Sequence, residues 1–540
     1  MIRRFPLRLV PSAVPLLLCT LIYTAGGHAA DADPWNVYIV GLKYFQQGRY
    51  AEAEERYIHA IKMAENVSPP DSRRALMYTS LGEIYRLQGK FEKAEPLLKQ
   101  GIAVGEKELA AAPNIAAAGF NNLGLVYQQT GRYDEAERAL RRALALLEQG
   151  GSKDILLARA LHNLGQLYFL ENKIEVAEEF YVRAMKLKEE LVGLDDPNIA
   201  MTLKGLAAVA AAKKNYANAE IFYQKALAIR EKALGAEHPE TDESLHDLAA
   251  FYRQRGRYAD SRMYYSRSVN VEMKRLGADD PKLLATIGNL ALVCQDAGDW
   301  ENAERLYKLV LAARERTVGP NHPSTATALN NLGYFYYGRK HYEVAESYYQ
   351  RALKIQEGTS AGTADAALTL SNLGALYVSR GEYARAVPVL QQSLAVLRKI
   401  RSPGDIDAAA VLNNLGTAYR GLRNFAEAEK SLRQSLTVRE KELGRDHPDV
   451  ATCLTNLGEL YQEEGKPREA ETLYLEAIQI LEKAVGKEHP VLVDPLENYF
   501  TLLRETGREA EAESLKLRAE ALRRKYGLPV VDYDSVKKPR

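Results

Sequence analysis

Histidine stands beside proline at several points of this chain, and imidazole is the side chain best suited to bind metal or move protons near neutral pH. The pairs are His238-Pro239, His322-Pro323, His447-Pro448 and His489-Pro490. A zinc ion would need three or four ligands at about 2 Å. Only His447 and His489 lie as close as 42 residues to each other, and no third ligand accompanies them. The spacing therefore predicts no metal site at these histidines.

Other signatures of catalysis are missing from the sequence. It contains no Gly-rich phosphate loop, no HExxH, no CxxC and no GxSxG motif. Cys294 and Cys453 are far apart in the chain, so we expect two small core residues, not a disulfide or reactive thiols. We predict no catalytic residue, no metal ligand and no cofactor.

The overall charge balance excludes one class of partner. The 540 residues include 72 basic and 71 acidic side chains, which gives a net charge of +1. Such a chain has no bulk attraction for nucleic acid or for anionic lipid. Its hydrophobic content of 46% is that of a folded protein.

The N-terminal segment differs in composition from everything that follows. Arg3, Arg4 and Arg8 precede an apolar run over residues 14–23, which small residues follow up to Ala30. This order is typical of a secretory signal peptide. We expect cleavage after Ala29, export to the periplasm or the medium, and no stable membrane span afterwards. A retained anchor is the open alternative, although the run is shorter than the ~20 apolar residues that span a bilayer.

One pattern, Leu-Gly-x-x-Tyr-x-x-x-Gly-x-aromatic-x-x-Ala, repeats along the rest of the chain. We call its first small residue the anchor, and its copies are 41 or 42 residues apart. The anchors are Gly41, Gly82, Gly124, Gly165, Ala207, Ala249, Ala291, Gly333, Gly374, Gly416, Gly458 and, degenerately, Phe500. Apolar residues at helical spacing before and after each anchor predict two helices per copy. We expect about twelve helical hairpins over residues 30–526 and a flexible tail over 527–540.

Two further positions of each copy predict how its helices pack. The position twelve after the anchor is Ala in eleven copies and Ser261 in the other, so two helices can approach closely there. The position three after the anchor is Tyr in nine copies, among them Tyr127 and Tyr336. We expect these rings to fill the space that the small residues leave, so they are core residues and not a cofactor site.

The stretches LNNLGYFYYGRKHYEVAESYYQRALKIQE (329–357) and LTNLGELYQEEGKPREAETLYLEAIQILEKAVGKEHP (454–490) carry a family resemblance. They resemble the tetratricopeptide repeat, and the long repeat with His-Pro connectors is similar to that of the kinesin light chain family. The resemblance implies an all-α fold, a right-handed solenoid of hairpins, and a non-enzymatic scaffold for protein partners. No heptad coil accompanies the repeats, so it does not imply a motor subunit.

The His-Pro pairs then take a structural interpretation. Glycine stands four residues before the proline, as in Gly319 and Pro323, and can end one helix, while proline suits the first turn of the next. Two equivalent connectors have Asp196 and Asp280 where the others have histidine. Because Asp is a good N-cap acceptor, we expect histidine to cap the helix as well.

The resemblance also implies that the first helix of each hairpin lines a concave groove. Carried onto this sequence, the candidate groove residues are Arg86, Asn121, Gln128, Arg159, His162, Lys204, His246, Arg253, Asn330, Tyr334, Tyr337, Asn413 and Arg420. The first half of the set is basic, whereas the last third of the chain adds acidic residues such as Glu459, Asp494 and Glu497. We predict capture of an acidic or aromatic extended segment, by the basic half. Ordinary solvated helix charges are the alternative for these residues.

Asparagine recurs two residues before the anchor, as in Asn163 and Asn372, and three copies carry a second one beside it. An amide both donates and accepts, which suits a peptide backbone and suits a neighbouring helix equally. We expect the peptide role for Asn121, Asn330 and Asn413 and the interhelical role for the others. Two other functions stay open: an assembly part that self-associates through its end repeats, and a metal-binding or hydrolytic protein with a site in the groove.

Overall fold

The computed structural model describes residues 33–66, 72–108, 113–151, 153–359, 362–400, 405–529 and 531–533. These residues are helical or lie in short connections, and none of them is in a strand. The predicted signal peptide, residues 1–29, lies outside the described residues. Within the described ranges, no helix has the length and hydrophobicity needed to cross a bilayer.

The chain divides into two compact units, Met1–Arg275 and Leu276–Arg540. The helices of the first unit are α1 (Pro34–Gln46), α2 (Tyr50–Asn66), α3 (Arg74–Leu87), α4 (Phe91–Glu108), α5 (Pro113–Gln129), α6 (Tyr133–Gln149), α7 (Ile155–Leu170), α8 (Ile174–Val192), α9 (Pro197–Ala212), α10 (Tyr216–Leu234), α11 (Pro239–Gln254) and α12 (Tyr258–Leu276), whose last residue belongs to the second unit. Successive helices form antiparallel hairpins, and the first helices of neighbouring hairpins also contact each other, as α3 contacts α5 and α5 contacts α7.

The second unit repeats this arrangement. Its helices are α13 (Pro281–Asp296), α14 (Trp300–Thr317), α15 (Pro323–Gly338), α16 (Tyr342–Thr359), α17 (Ala364–Ser379), α18 (Tyr383–Ile400), α19 (Ile406–Gly421), α20 (Phe425–Leu443), α21 (Pro448–Glu463), α22 (Pro467–Val485), α23 (Val493–Glu505) and α24 (Glu509–Lys525), with a 3₁₀ turn over Pro490–Leu492. The first helices contact one another here too, for example α19 with α21 and α21 with α23. The predicted all-α fold of about twelve hairpins is confirmed.

The connectors between helices end one helix at a glycine and begin the next at a capping residue, as predicted. Gly319 has a φ of +94°, a left-handed conformation that ends α14 and that side chains other than glycine rarely adopt. His322 caps α15, because its Nδ1 accepts a hydrogen bond of 3.2 Å from the backbone N–H of Ser324. Asp280 makes the equivalent bond at α13, with a length of 2.7 Å from the N–H of Lys282. Histidine therefore replaces Asp as the cap, as the sequence predicts.

The anchor packs against a different residue from the one expected. A Cβ added at Gly416 would lie 2.4 Å from Leu432 Cγ, and one at Gly333 would lie 2.6 Å from Tyr349 Cε1. The large side chain over the anchor is thus sixteen residues beyond it, on the second helix. The tyrosine three after the anchor is a buried core residue, as predicted, with 7% of Tyr127 exposed, but it is not the side chain nearest the anchor. Its hydroxyl reaches the preceding hairpin, as in the bond from Tyr336 to Glu304 of 2.8 Å.

The described residues of the C-terminal tail contact the last hairpin, while the flexibility expected for residues 527–540 stays a prediction. Tyr533 is 3% exposed, and its ring lies 5.5 Å from that of Phe500 in an edge-on contact. Arg504 Nη1 donates a hydrogen bond of 2.9 Å to the Tyr533 carbonyl oxygen. The composition of the tail did not reveal this contact, which joins Tyr533 to residues of α23.

Candidate functional site

Arg86, one of the predicted groove residues, is buried on α3, with 1% of its surface exposed. Its Nη2 lies 4.0 Å from Glu83 Oε1, one turn before it. Neither Nε nor Nη1 has a hydrogen-bond partner among the described residues. Burial lowers the pKa of Arg86, with Glu83 opposing and the charge of Arg159 adding to the effect. A guanidinium with unused donors in a water-poor site is a strong potential anion receptor.

Arg159 on α7 contributes a second positive charge to this region. Its side chain is partly exposed, and no ion pair or hydrogen bond joins it to another described residue. Burial lowers the pKa of Arg159 against the favourable charges of Glu83 and Asp154. The charge of Arg159 acts on Arg86, and the predicted groove role of the two arginines stays a prediction.

His162 and Lys204 extend the positive region toward α9. His162 is 4% exposed, and its Nδ1 lies 3.4 Å from Thr202 Oγ1. Burial first, and then the charges of Lys188 and Lys204, hold the pKa of His162 well below its ordinary value, so the ring is neutral near pH 7. Lys204 is partly exposed, but its Nζ lies 2.8 Å from Asp247 Oδ1. Its charge is therefore already compensated.

Sequence reasoning missed Lys188, which is 1% exposed at the end of α8. Its Nζ donates to the Asn198 carbonyl oxygen and to Thr202 Oγ1, both at 2.9 Å. Burial, followed by the charge of Arg159, lowers the pKa of Lys188 to about 7. The sequence feature that could have identified Lys188 is a charged residue at a repeat position where an earlier copy has the apolar Leu147.

Cations at this repeat position join consecutive hairpins. Arg230 Nη1 donates to the Glu240 carbonyl oxygen at 2.8 Å, and Arg439 Nη1 donates to that of Asp449 at 2.7 Å. Each contact runs from the end of one hairpin to the first turn of the next. The buried cation satisfies a backbone oxygen there and fixes the connector.

The three predicted peptide-binding asparagines lie between helices. Asn121 is fully buried, and its Oδ1 accepts a hydrogen bond of 2.8 Å from Asn163 Nδ2. Asn330 accepts one of 3.0 Å from Asn372 in the same way. Asn413 accepts from Asn456 at 2.9 Å.

These pairs give Asn163, Asn372 and Asn456 the predicted interhelical role, whereas Asn122, at the same repeat position, has no hydrogen-bond partner for its amide among the described residues. The acceptors Asn121, Asn330 and Asn413 are all at most 8% exposed, so little of them faces a ligand. Their peptide-binding role stays a prediction. Gln128 is likewise buried at 8%, and its Oε1 has no hydrogen-bond partner in the described part of the chain.

His246 on α11 lies beside two buried carboxylates. Its Nε2 is 4.0 Å from Asp242 Oδ1 and 3.9 Å from Glu272 Oε1. These are the one group of metal-ligating types that lie within 4.8 Å of one another among the described residues. Asp242 also accepts a hydrogen bond from Ser268 Oγ and faces Arg275 at 3.9 Å. The group is therefore tied into protein contacts.

Arg253, another predicted groove residue on α11, is partly exposed.

The predicted groove residues of the second unit have a different character. Tyr334 on α15 is 47% exposed, and the hydroxyl of Tyr337 lies 2.8 Å from Ser379 Oγ. Arg420 on α19 forms an ion pair with Glu459 of α21 and lies 3.7 Å from Glu463. Tyr334 is thus open to a partner, whereas Arg420 is held by acidic neighbours.

The helical hairpins match a known repeat family. A family model described as Tetratricopeptide repeat matches residues 37–107, 115–190, 198–271, 243–315, 282–358, 365–441 and 407–483. No curated protein matches the sequence. The matched segments together span most of the chain and follow the anchors identified above.

Solved structures give weaker likenesses. BtubC (BKLC) from P. vanneervenii is 19% identical, covers 43% of this chain and 92% of its own, and has a TM-score of 0.38. A kinesin light chain with nearly identical TPR-like repeats from Podosopora anserina is 24% identical over 38% of this chain and 99% of its own, with a TM-score of 0.32. Yeast Tom70 is 13% identical over 92% of this chain and 96% of its own, with a TM-score of 0.41.

Proposed function

The chain belongs to the tetratricopeptide repeat family, and on that premise we propose that it is a scaffold that binds an acidic extended segment of a partner protein. The proposed site is the basic face, which we define as Arg86, Arg159 and Lys204 with His162, all on first helices of the first unit. Tetratricopeptide repeats are protein-protein interaction modules, and the first helices of consecutive hairpins offer an extended surface. The proposal names the charge of the partner and the unit that receives it.

One observation carries this proposal. The buried guanidinium of Arg86 has two nitrogens without a partner among the described residues, and the neighbouring Arg159 has no ion pair there. Burying such donors unsatisfied costs about 1–3 kcal/mol, and more for a charged group. A carboxylate that arrives from a partner would accept from them and would relieve the repulsion between the two guanidinium groups.

A binding measurement tests the proposal. The probe is a fluorescent peptide of alternating Glu and Tyr residues, and the readout is its anisotropy as the full chain is added. Replacing the partly exposed Arg159 by Glu should weaken binding about tenfold or more, because a charged hydrogen bond contributes about 1.5–3 kcal/mol. Higher salt should weaken binding of the wild-type chain as well.

Arg138 supplies the matched control. It is exposed on α6, a second helix, so Arg138→Glu changes the charge equally without touching the basic face. Its affinity for the probe should equal that of the wild-type chain. Equal affinities for Arg159→Glu and the wild type, or equal binding of a peptide with Lys in place of Glu, would remove the proposed site.

We further propose that the protein works outside the cytoplasm, with residues 1–29 as its export signal. The supporting feature is the order of basic, apolar and small residues in that segment. N-terminal sequencing of the protein recovered from the exported fraction should start at Ala30. Recovery of the intact N-terminus from the membrane fraction would support the retained anchor instead.

The two other functions predict different results in solution. Self-association through the end repeats should give a sedimentation mass above that of a monomer. A metal protein should show a stoichiometric ion on elemental analysis, and the Asp242, His246 and Glu272 group is where that ion would be sought.

A further inference from the structure

We propose that a cavity in the second unit is a docking site for an arginine side chain of a partner protein. The cavity, which we call the acceptor pocket, has a volume of about 330 Å³ and opens between α21 and α23. Its polar lining includes Thr452, Thr455, Asn456, Asp494 and Asn498. It lies outside the basic face and carries the opposite charge, so it binds independently of the acidic segment proposed above.

The hydrogen-bond donors of the lining are directed into the protein. The hydroxyl of Thr455 donates to the Ala451 carbonyl oxygen at 2.9 Å, and that of Thr452 donates to Pro448 at 3.4 Å. Each hydroxyl therefore keeps only lone pairs for a ligand.

The side-chain amides of Asn456 and Asn498 in the lining also donate hydrogen bonds to other protein groups. Asn456 Nδ2 donates to Asn413 at 2.9 Å, and Asn498 Nδ2 donates to Glu459 Oε1 at 2.5 Å. Each Nδ2 keeps one further N–H, and each Oδ1 remains as an acceptor. Because most of the lining atoms that remain available for hydrogen bonds are acceptors, the pocket favours a ligand with many hydrogen-bond donors.

The charges of the pocket leave one carboxylate without a counter-ion. Glu459 pairs with Arg420, and Glu497 accepts hydrogen bonds of 2.6 and 2.9 Å from Arg523. No described residue forms an ion pair with Asp494, which lies at the exposed rim. Partial burial, and then the charge of Glu497, raise the pKa of the Asp494 carboxyl, while the charge of Arg523, which is already bound to Glu497, opposes this effect. One incoming positive charge would balance this carboxylate.

The geometry favours guanidinium over ammonium. Asp494, the two asparagine oxygens and the two threonine oxygens offer more acceptors than the three N–H groups of an ammonium ion can use, whereas guanidinium carries five. Leu481, Val491 and Pro495 line the same cavity and can cover the methylene stem. A volume at the lower end of ligand pockets accommodates one side chain more readily than a whole small ligand.

The test compares a short Gly-Ser peptide that contains one arginine with the same peptide carrying citrulline, its uncharged isostere. Binding to the full chain is measured by fluorescence anisotropy of the labelled peptides. The arginine peptide should bind, and citrulline should weaken binding about tenfold or more, since a charged hydrogen bond is lost. Asp494→Asn should cause a similar loss for the arginine peptide.

Glu343→Gln is the control variant, because Glu343 is 81% exposed on a second helix remote in sequence from the pocket. It should bind the arginine peptide as the wild type does. Asp494→Asn should also keep its affinity for the Glu-Tyr probe, which separates this site from the basic face. Asp494→Lys places a cation at the rim and should abolish binding of the arginine peptide.

Three results would overturn the proposal. They are no binding of the arginine peptide at millimolar concentration, equal binding of the arginine and citrulline peptides, and unchanged binding in Asp494→Asn.

Discussion

At the scale of single residues, a repeated contact between tyrosine and glutamate joins consecutive hairpins. The hydroxyl of Tyr127 donates to Glu95 Oε1 at 3.1 Å, and Arg132 Nη1 donates to the other carboxylate oxygen at 2.8 Å. The same tyrosine-glutamate contact recurs in Tyr85–Glu54, Tyr168–Glu137, Tyr252–Glu220, Tyr336–Glu304, Tyr377–Glu346 and Tyr461–Glu429. Each ring is thus packed at one side and hydrogen-bonded at its tip.

This contact makes the stability of the first unit depend on pH. Burial opposes ionisation of Glu95, but hydrogen bonds from Lys99, Arg132 and Tyr127 prevail and lower its pKa from 4.5 to about 2. A carboxyl whose pKa is lower in the folded chain stabilises it fully above the ordinary pKa. That contribution is lost as pH falls from about 5 to about 2.

Glu95→Gln should therefore destabilise the chain at pH 7 and make little difference near pH 2. The measurement is amide hydrogen exchange of α4 and α5 in both proteins across this pH range, with rates corrected for intrinsic exchange. Glu92→Gln, an exposed change on the same helix, should leave exchange unaltered. A difference between Glu95→Gln and the wild type that stays constant from pH 7 to pH 2 would refute the ionic role.

At the scale of helices, the anchors and connectors were predictable from sequence, whereas their cross-hairpin partners were not. Gly319 and His322 act through bonds within a few residues, so their types and spacing specify the geometry. Asn121 and Asn163 are 42 residues apart, and their contact depends on how one hairpin rotates against the next. The repeat pattern identifies a helix face but does not specify that rotation. For this reason the burial of Asn121 between two helices was not predicted.

Replacing two helical glycines by alanine should change the stability of their helices in opposite directions. Gly416→Ala should destabilise α19 by about 1–3 kcal/mol, because the new Cβ would lie 2.4 Å from Leu432 Cγ. Gly288→Ala should stabilise α13 by about 0.5–1 kcal/mol, because nothing lies within 4 Å of its Cβ and alanine favours the helix. Amide exchange in α19 and α13 should accordingly change in opposite directions. Changes of the same sign would contradict the proposed packing at the anchor.

At the scale of the whole molecule, the net charge of +1 is the sum of many basic and acidic side chains, which are unevenly distributed along the chain. The basic face belongs to the first unit and the acceptor pocket to the second. Each unit is a series of hairpins that contact mainly their neighbours, so a substitution in one hairpin should leave distant hairpins folded. The family accounts for the fold, and the side chains that differ between repeats give the chain its proposed specificity.

The location of the bound acidic segment tests the central claim most directly. Hydrogen exchange of the full chain, followed by mass spectrometry, should be compared with and without a saturating concentration of the Glu-Tyr peptide. We predict slower exchange in α3, α7 and α9, which carry Arg86, Arg159 and Lys204, with no change in α16. Protection confined to second helices or to the second unit, or no protection at saturation, would contradict the assignment of the basic face.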